Sequence, residues 1–258
     1  MIDGTNRGAV WTLPIWLATV MCLVWSFPDA AAAQWRWPEQ ARDLRELPAD
    51  FPPERLSAVM RGFTSALGVR CSYCHVGEEG QPLETYDFVS NENPNKDRAR
   101  AMYRLLGAVN DQLSGVEPSG TRVNMWCHTC HNGKPRPQTL AEAVDERYES
   151  SGPDEAFRYF RELRDRYYGA GAYDFTPANI ASLASSLLQR GDEDTARRFF
   201  EANVVDHPDS WEAAEGLGDF FAATDRLDAA REEYLRALEL DPAPNPQLEA
   251  KLRALGAP

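Results

Sequence analysis

The stretch "PANIASLASSLLQRGDEDTARRFFEANVVDHP" (177–208) returns 34 residues later as "WEAAEGLGDFFAATDRLDAAREEYLRALELDP" (211–242). Small or apolar residues recur in register. Leu183 aligns with Leu217, Ala184 with Gly218 and Leu187 with Phe221; then come Ala196 with Ala230, Phe200 with Tyr234, and Pro208 with Pro242. A period of this length marks a helix–turn–helix unit that buries its apolar face against the next copy. The small residues let the two helices of a unit approach, and the aromatic residues fill the gap between them. Leu248, Leu252 and Leu255 then have the spacing of a capping helix.

The period is that of tetratricopeptide repeats, expected over 173–258 with the cap included. Outward from there, 141–172 reads as connecting helices, two of them over 139–170 with a break at "SSGPD". Further upstream, "PPERLSAVMRGFTSALGV" (52–69) places Leu56, Val59, Met60, Phe63 and Leu67 at helical spacing, with Gly68 as the stop. A second helix is expected from about Lys96, with Ala99, Met102, Leu106, Val109 and Leu113 on its apolar face. No long run alternates with the period of a strand. The expected class is all-α: a loop-rich domain over 52–140, then the helical repeats. A few helices joined by long loops hold too little core of their own, so the first domain needs staples or a large cofactor.

The four cysteines beyond Cys22 point to which. They form two pairs, Cys71/Cys74 in "CSYCH" and Cys127/Cys130 in "CHTCH", and each pair runs directly into a histidine, His75 or His131. Thiols three residues apart lie on one side of a turn, where both can add across the vinyl groups of one haem, and the next residue is aimed at its iron. The pattern therefore reads as covalent c-type haem attachment, used twice. A four-cysteine zinc site is disfavoured by the long chain between the pairs. A redox disulfide is disfavoured by the lack of any thioredoxin-like pattern. His75 and His131 are the expected proximal iron ligands.

For the opposite faces of the irons, Met60 and Met102 stand on the apolar faces of the helices that precede the two motifs. They are the expected distal ligands, with open five-coordinate irons as the alternative and simple core packing as the bland reading. Met125 lies too close to Cys127 to cross the porphyrin. His128, between its own cysteines, is expected to be a bystander, and His207 a surface loop residue.

The first 33 residues stand apart. Arg7 precedes an uncharged run over 8–27, and "PDAAAAQ" follows. This is the layout of a secretory signal cleaved near Ala33, although the run is long enough to serve as a membrane anchor. Either way the body of the chain is expected to be exported, periplasmic or held at the inner membrane. Cys22 follows Val20 and Met21 rather than small residues, which argues against lipidation. Residues 34–51 read as a linker. The chain carries a net charge of −13, which argues against a nucleic-acid backbone as partner and suits solubility or attraction to a basic partner.

Three segments together, "VMRGFTSALGVRCSYCHVG", "YDFVSNENPNKDRARAMYRLLGAVN" and "VNMWCHTCHNGKPRP", resemble the cytochrome c subunit of photosynthetic reaction centres and its wider relatives. The resemblance runs over about 52–140. In that family a methionine on the helix before each motif commonly binds the iron, which carries over to Met60 and Met102. The reaction-centre subunit holds four haems, whereas this chain has two motifs and matches about half of it. The resemblance implies electron transfer between protein partners, with a membrane-bound redox complex, photosynthetic or respiratory, as client. No catalytic acid–base pair or nucleophile stands out. The other readings are a haem enzyme or gas sensor with one open iron, and a repeat-based scaffold with structural haems.

Overall fold

The structure is a computed structural model, and it describes residues 36–37, 41–116 and 124–256. The fold is all-α. Ten helices follow in order among the described residues: α1 Pro53–Leu67, α2 Pro94–Leu113, α3 Cys127–His131, α4 Leu140–Ser151, α5 Pro153–Tyr167, α6 Pro177–Gln189, α7 Glu193–Asp206, α8 Trp211–Ala223, α9 Leu227–Leu240 and α10 Pro246–Ala254. Short 3-10 turns stand at Cys71–Tyr73 and Leu83–Thr85, and one antiparallel bridge joins Val76 to Asp87. The uncharged run 8–27 lies outside the described residues. No described helix is long and apolar enough to cross a membrane.

Local chemistry sets the helix ends. Proline stands in the first turn of α1, α2, α5, α6 and α10, where its missing N–H costs nothing. Thr139 and Glu142 form a reciprocal capping box at α4, and Asp192, Ser210 and Asn245 cap α7, α8 and α10. Gly68 closes α1 in the left-handed region at φ 63°, which spares it the Cβ penalty other residues meet there. Helix α2 starts two residues earlier than Lys96, because Asn93 caps it by accepting the Asn95 N–H at 3.1 Å.

Helices α6 and α8 begin 34 residues apart, as do α7 and α9, so the sequence period is the structural period. Packing follows the aligned positions. A Cβ at Gly218 would lie 2.5 Å from the Tyr234 ring, and one at Gly216 would lie 3.1 Å from the Cβ of Ala181. Glycine there is what allows α8 to sit against α9 and α6. Leu248 on α10 is fully buried against Ala230, Tyr234 and Ala237, which makes α10 the cap of this stack.

The helices read as connectors turn out to be core. Phe160 of α5 is completely buried, with its ring centroid 5.0 Å from that of Phe199 on α7 and 6.3 Å from Phe175. Leu140 and Val144 of α4 join the same cluster. Arg161 and Arg164 of α5 reach the buried carboxylate of Asp206, at 2.6 and 2.8 Å, and bind α5 to α7.

Before residue 139 the packing is of another kind. Phe63 of α1 lies between Tyr103 of α2, edge-on at 6.3 Å, and Trp126, stacked at 6.1 Å. Asn110 of α2 clamps the backbone of Met125 from both sides: its amide donates to the carbonyl at 2.9 Å, and its oxygen accepts the N–H at 2.7 Å. Within the segment read as a linker, Asp43 and Glu46 form ion pairs with Arg100 and Arg104 of α2.

Candidate functional site

Each Cys-x-x-Cys-His motif closes a tight turn. At the first, the Cys71 carbonyl accepts the N–H groups of Cys74 at 3.2 Å and His75 at 2.9 Å. The second motif is α3 itself. Trp126 precedes it, and Thr129 returns its hydroxyl to accept the Trp126 N–H at 3.0 Å. All four cysteines are free thiols. Burial raises the pKa of Cys74 and of Cys127, so both are held as thiols rather than thiolates.

The two motifs sit against each other. The Gly133 N–H, two residues past His131, donates to the Ala66 carbonyl at 2.8 Å. A Cβ on Gly68, three residues before Cys71, would lie 2.0 Å from the Gly133 carbonyl oxygen. The backbones thus meet at a point where only glycine fits. One clasp fixes the spacing of both motifs.

The loop after the first motif is built onto His75. Asp87 accepts the N–H groups of Val89 and Ser90 at 2.9 and 2.8 Å. Lys96 donates to the carbonyls of Phe88, Val89 and Ser90 at 2.9, 3.1 and 2.8 Å. The Phe88 ring then stands edge-on to His75 with centroids 5.0 Å apart. Burial, and next the Lys96 charge, bring the His75 pKa down to about 4, so the ring is neutral at neutral pH. Its buried Nδ1 has no hydrogen-bond partner.

The second motif is finished by a turn. Asn132 and Gly133 have φ of 47° and 81°, and the His131 carbonyl accepts the Lys134 N–H at 3.0 Å. Positive φ at both central residues is what a type I′ turn demands, and Asn-Gly is its favoured sequence. The turn brings the Lys134 carbonyl 3.0 Å from His131 Nδ1. A carbonyl only accepts, so Nδ1 carries a proton, and in the neutral ring the lone pair is then on Nε2.

These residues fit a haem of the c type. Each turn offers two thiols and one imidazole, and His131 has the tautomer that an Nε2 ligand requires. The four cysteines do not converge: no group of three or more His, Cys, Asp or Glu side chains able to hold a bare metal ion exists among the described residues. Apolar side chains also flank the motifs without being covered by the chain. Tyr73, Val76, Val89 and Trp126 are exposed, as are Met102 at 48% and Leu105 at 54%. A flat apolar group bound at the turns is the kind of surface they would pack on.

The expected ligands are placed unequally. Met60 is half-buried on α1, whereas Met102 lies open on α2. His128 is exposed, away from the packed side of its turn. His207 departs from expectation. It is half-buried as the C-cap of α7, its ring 6.4 Å from Tyr168 and its Nε2 buried without a partner, because α7 ends against the loop after α5 rather than in open solvent. Asn110, Lys96 and Lys134 escaped sequence reasoning; of their neighbourhoods only the Asn-Gly pair at 132–133 carried a readable turn signal.

A helical chain with two clasped Cys-x-x-Cys-His turns has the layout of a c-type cytochrome unit beside a helical repeat. Over 72 residues the chain is 38% identical to cytochrome c-554 of Chloroflexus aurantiacus. The match takes in 28% of this chain and 16% of that protein's length. No protein-family model matches. Two solved structures, the first TPR domain of human RPAP3 and the first TPR of Spaghetti (RPAP3) bound to the HSP90 peptide SRMEEVD, are each 22% identical to it and align at a TM-score of 0.31. Each alignment covers 45% of this chain and 86% of the other.

Proposed function

We propose that this protein is an exported two-haem c-type cytochrome that passes electrons between protein partners. The observation that carries the reading is the pair of motif turns, each presenting two thiols and a histidine, held together by the Ala66–Gly133 clasp. Haem c, when bound, supplies one-electron chemistry at an iron. Cys71 and Cys74 tether one haem, and Cys127 and Cys130 the other. His75 and His131 are the proximal ligands; Met60 and Met102 are the distal ones. Methionine opposite histidine favours a relatively high reduction potential. Phe88 and the Lys96-bound loop keep the His75 ring packed and away from water, and Lys134 holds the His131 ring.

Export follows from the layout of residues 1–33, and residues 8–27 hold the protein at the inner membrane if they are retained. The redox partner is then a periplasmic or membrane-bound complex. The repeat helices offer a surface for a protein partner. The acidic balance of the chain disfavours nucleic acid and favours a partner with a basic docking face.

The test is a haem count with a ligand challenge. Protein made in a host that attaches haem c should give two covalent haems per chain by pyridine haemochromogen assay and intact mass, and both should reduce and reoxidise. Carbon monoxide binding to the reduced protein at neutral pH would sink the fully six-coordinate assignment. A chain carrying no covalent haem would sink the whole reading.

A further inference from the structure

Lys134 is a buried cation with no carboxylate on it. It is 6% exposed; Glu142 acts on it through its charge, but no ion pair joins Lys134 to an Asp or Glu among the described residues. Taking an ammonium out of water is costly unless its donors are met. Here they are met by backbone and by a ring. Nζ donates to the Gln138 carbonyl at 2.5 Å and to the Ala172 carbonyl, and it stands 3.9 Å from the Tyr173 ring centroid. Tyr173 is itself packed edge-on against Tyr167 of α5, at 5.4 Å, and against Phe175, at 6.2 Å. The far end of the lysine is therefore staked in the loop that joins α5 to α6.

The near end of the same residue holds the second motif. Its carbonyl accepts a hydrogen bond from the His131 Nδ1–H, and its N–H closes the turn onto the His131 carbonyl. His131 is 9% exposed and makes this bond with its only free ring N–H. One residue thus spans from the repeat-side core to the imidazole.

We propose that Lys134 is a positioning residue for His131, a stake by which the α5–α6 loop sets the orientation and proton sharing of that ring. The geometric part stands on the bonds above; its effect on an iron rests on the reading of His131 as a haem ligand. Orienting groups of this kind fix the tautomer of a ligating histidine and raise its basicity. A change in the α5–α6 loop then reaches the second motif and leaves His75 alone.

The test compares Lys134→Met, Lys134→Arg and Tyr173→Leu in the full chain as purified. NMR of the His131 ring reads exchange of its Nδ1 proton, and redox titration with electron paramagnetic resonance reads each haem. Lys134→Met keeps the backbone carbonyl on His131 but loses the Nζ anchors, and weakening of the Nδ1 bond by that release corresponds to up to about tenfold faster exchange. The second-motif haem should change its g values and midpoint while the first stays put. Lys134→Arg should keep most of the wild-type behaviour, and Tyr173→Leu, which retains the lysine, should give a smaller change of the same kind. If Lys134→Met fails to fold, Tyr173→Leu alone decides. The proposal is overturned if the folded variants leave the exchange and the second haem unmoved, or if both haems move equally, as general loosening would produce. Absence of covalent haem would refute the functional reading while the proton exchange still tests the stake.

Discussion

Among the described residues, Leu56 and Ala66 are the only buried apolar side chains before residue 139, whereas the stretch from Leu140 onward has an aromatic and aliphatic core in two clusters. The repeat side holds itself together with Phe160, Phe199, Phe200 and Phe220, all fully or almost fully buried. The motif side uses backbone clasps and polar clamps: Gly68 on Gly133, Asn110 on Met125, Lys96 on the 88–90 carbonyls. Several of its large apolar residues, Val76, Met102 and Leu105 among them, face outward. The difference teaches what each half is for. A self-sufficient core makes a stable platform, and an open apolar surface beside free thiols suits a group that the chain does not itself provide.

The largest effect should come from removing the motif thiols, which the proposed function makes the points of attachment. Replacing all four motif cysteines by serine should cost residues 41–139 most of their protection while α4–α10 keep theirs. Hydrogen exchange with peptide-level mass spectrometry measures this directly. Equal loss in both halves, or none in either, would break the comparison.

The mirror experiment strikes the self-sufficient half. Phe160→Ala should cost about 3–5 kcal/mol in urea unfolding, the range for truncating a buried aromatic. Its neighbours Phe157, Phe175 and Phe199 are rings within 6.3 Å that have little freedom to collapse into the gap. The α4–α7 helices should lose stability first.

Gly68→Ala sharpens the comparison at the clasp. The left-handed φ costs a residue with a Cβ about 1–2 kcal/mol, and the overlap with the Gly133 oxygen adds about 1–3 kcal/mol. Gly133→Ala is the control: φ is 81°, but a Cβ there meets nothing within 4 Å, so only the backbone penalty applies. The larger loss at Gly68, read from thermal melts, marks the close approach itself. Equal losses would show that the two backbones do not meet as described.

How far the molecule was legible follows the same divide. The repeat was legible because its information is periodic: one copy predicts the next, and α6 to α9 begin where the offset says. The part of that core outside the period was not, since nothing local marks α5 as the donor of Phe160. The motif cysteines and histidines were legible as residues three and four apart, and their turns form as that spacing requires. What holds those turns was not. Asn110 to Met125, Lys96 to Phe88 and Lys134 to Ala172 are bonds from a side chain to a distant backbone carbonyl or N–H, and every residue has those groups, so the sequence does not mark the partner. Asp43 on Arg100 is invisible for a related reason, because either charge has many opposite partners in so acidic a chain.

The smallest effect lies where one carboxylate joins two helix pairs of the self-sufficient half. Asp192 caps α7 by accepting the Thr195 N–H at 3.0 Å, and it also accepts the Tyr148 hydroxyl of α4 at 2.6 Å. Burial pushes its pKa up, but the bonds from Tyr148 and Thr195 outweigh that and leave it lowered. A lowered folded value means the ionised form stabilises the fold. That contribution is complete above the unfolded aspartate value of about 3.9 and is lost as pH falls through the folded one. Asp192→Asn keeps the cap acceptor and removes the charge, so at pH 7 it should cost about 0.5–2 kcal/mol or less. The gap between variant and wild type should close as pH falls through the lowered folded value, where the wild-type carboxyl takes up its proton. A gap that persists unchanged into acid would mean that Tyr148 and α7 are joined by packing rather than by the charge.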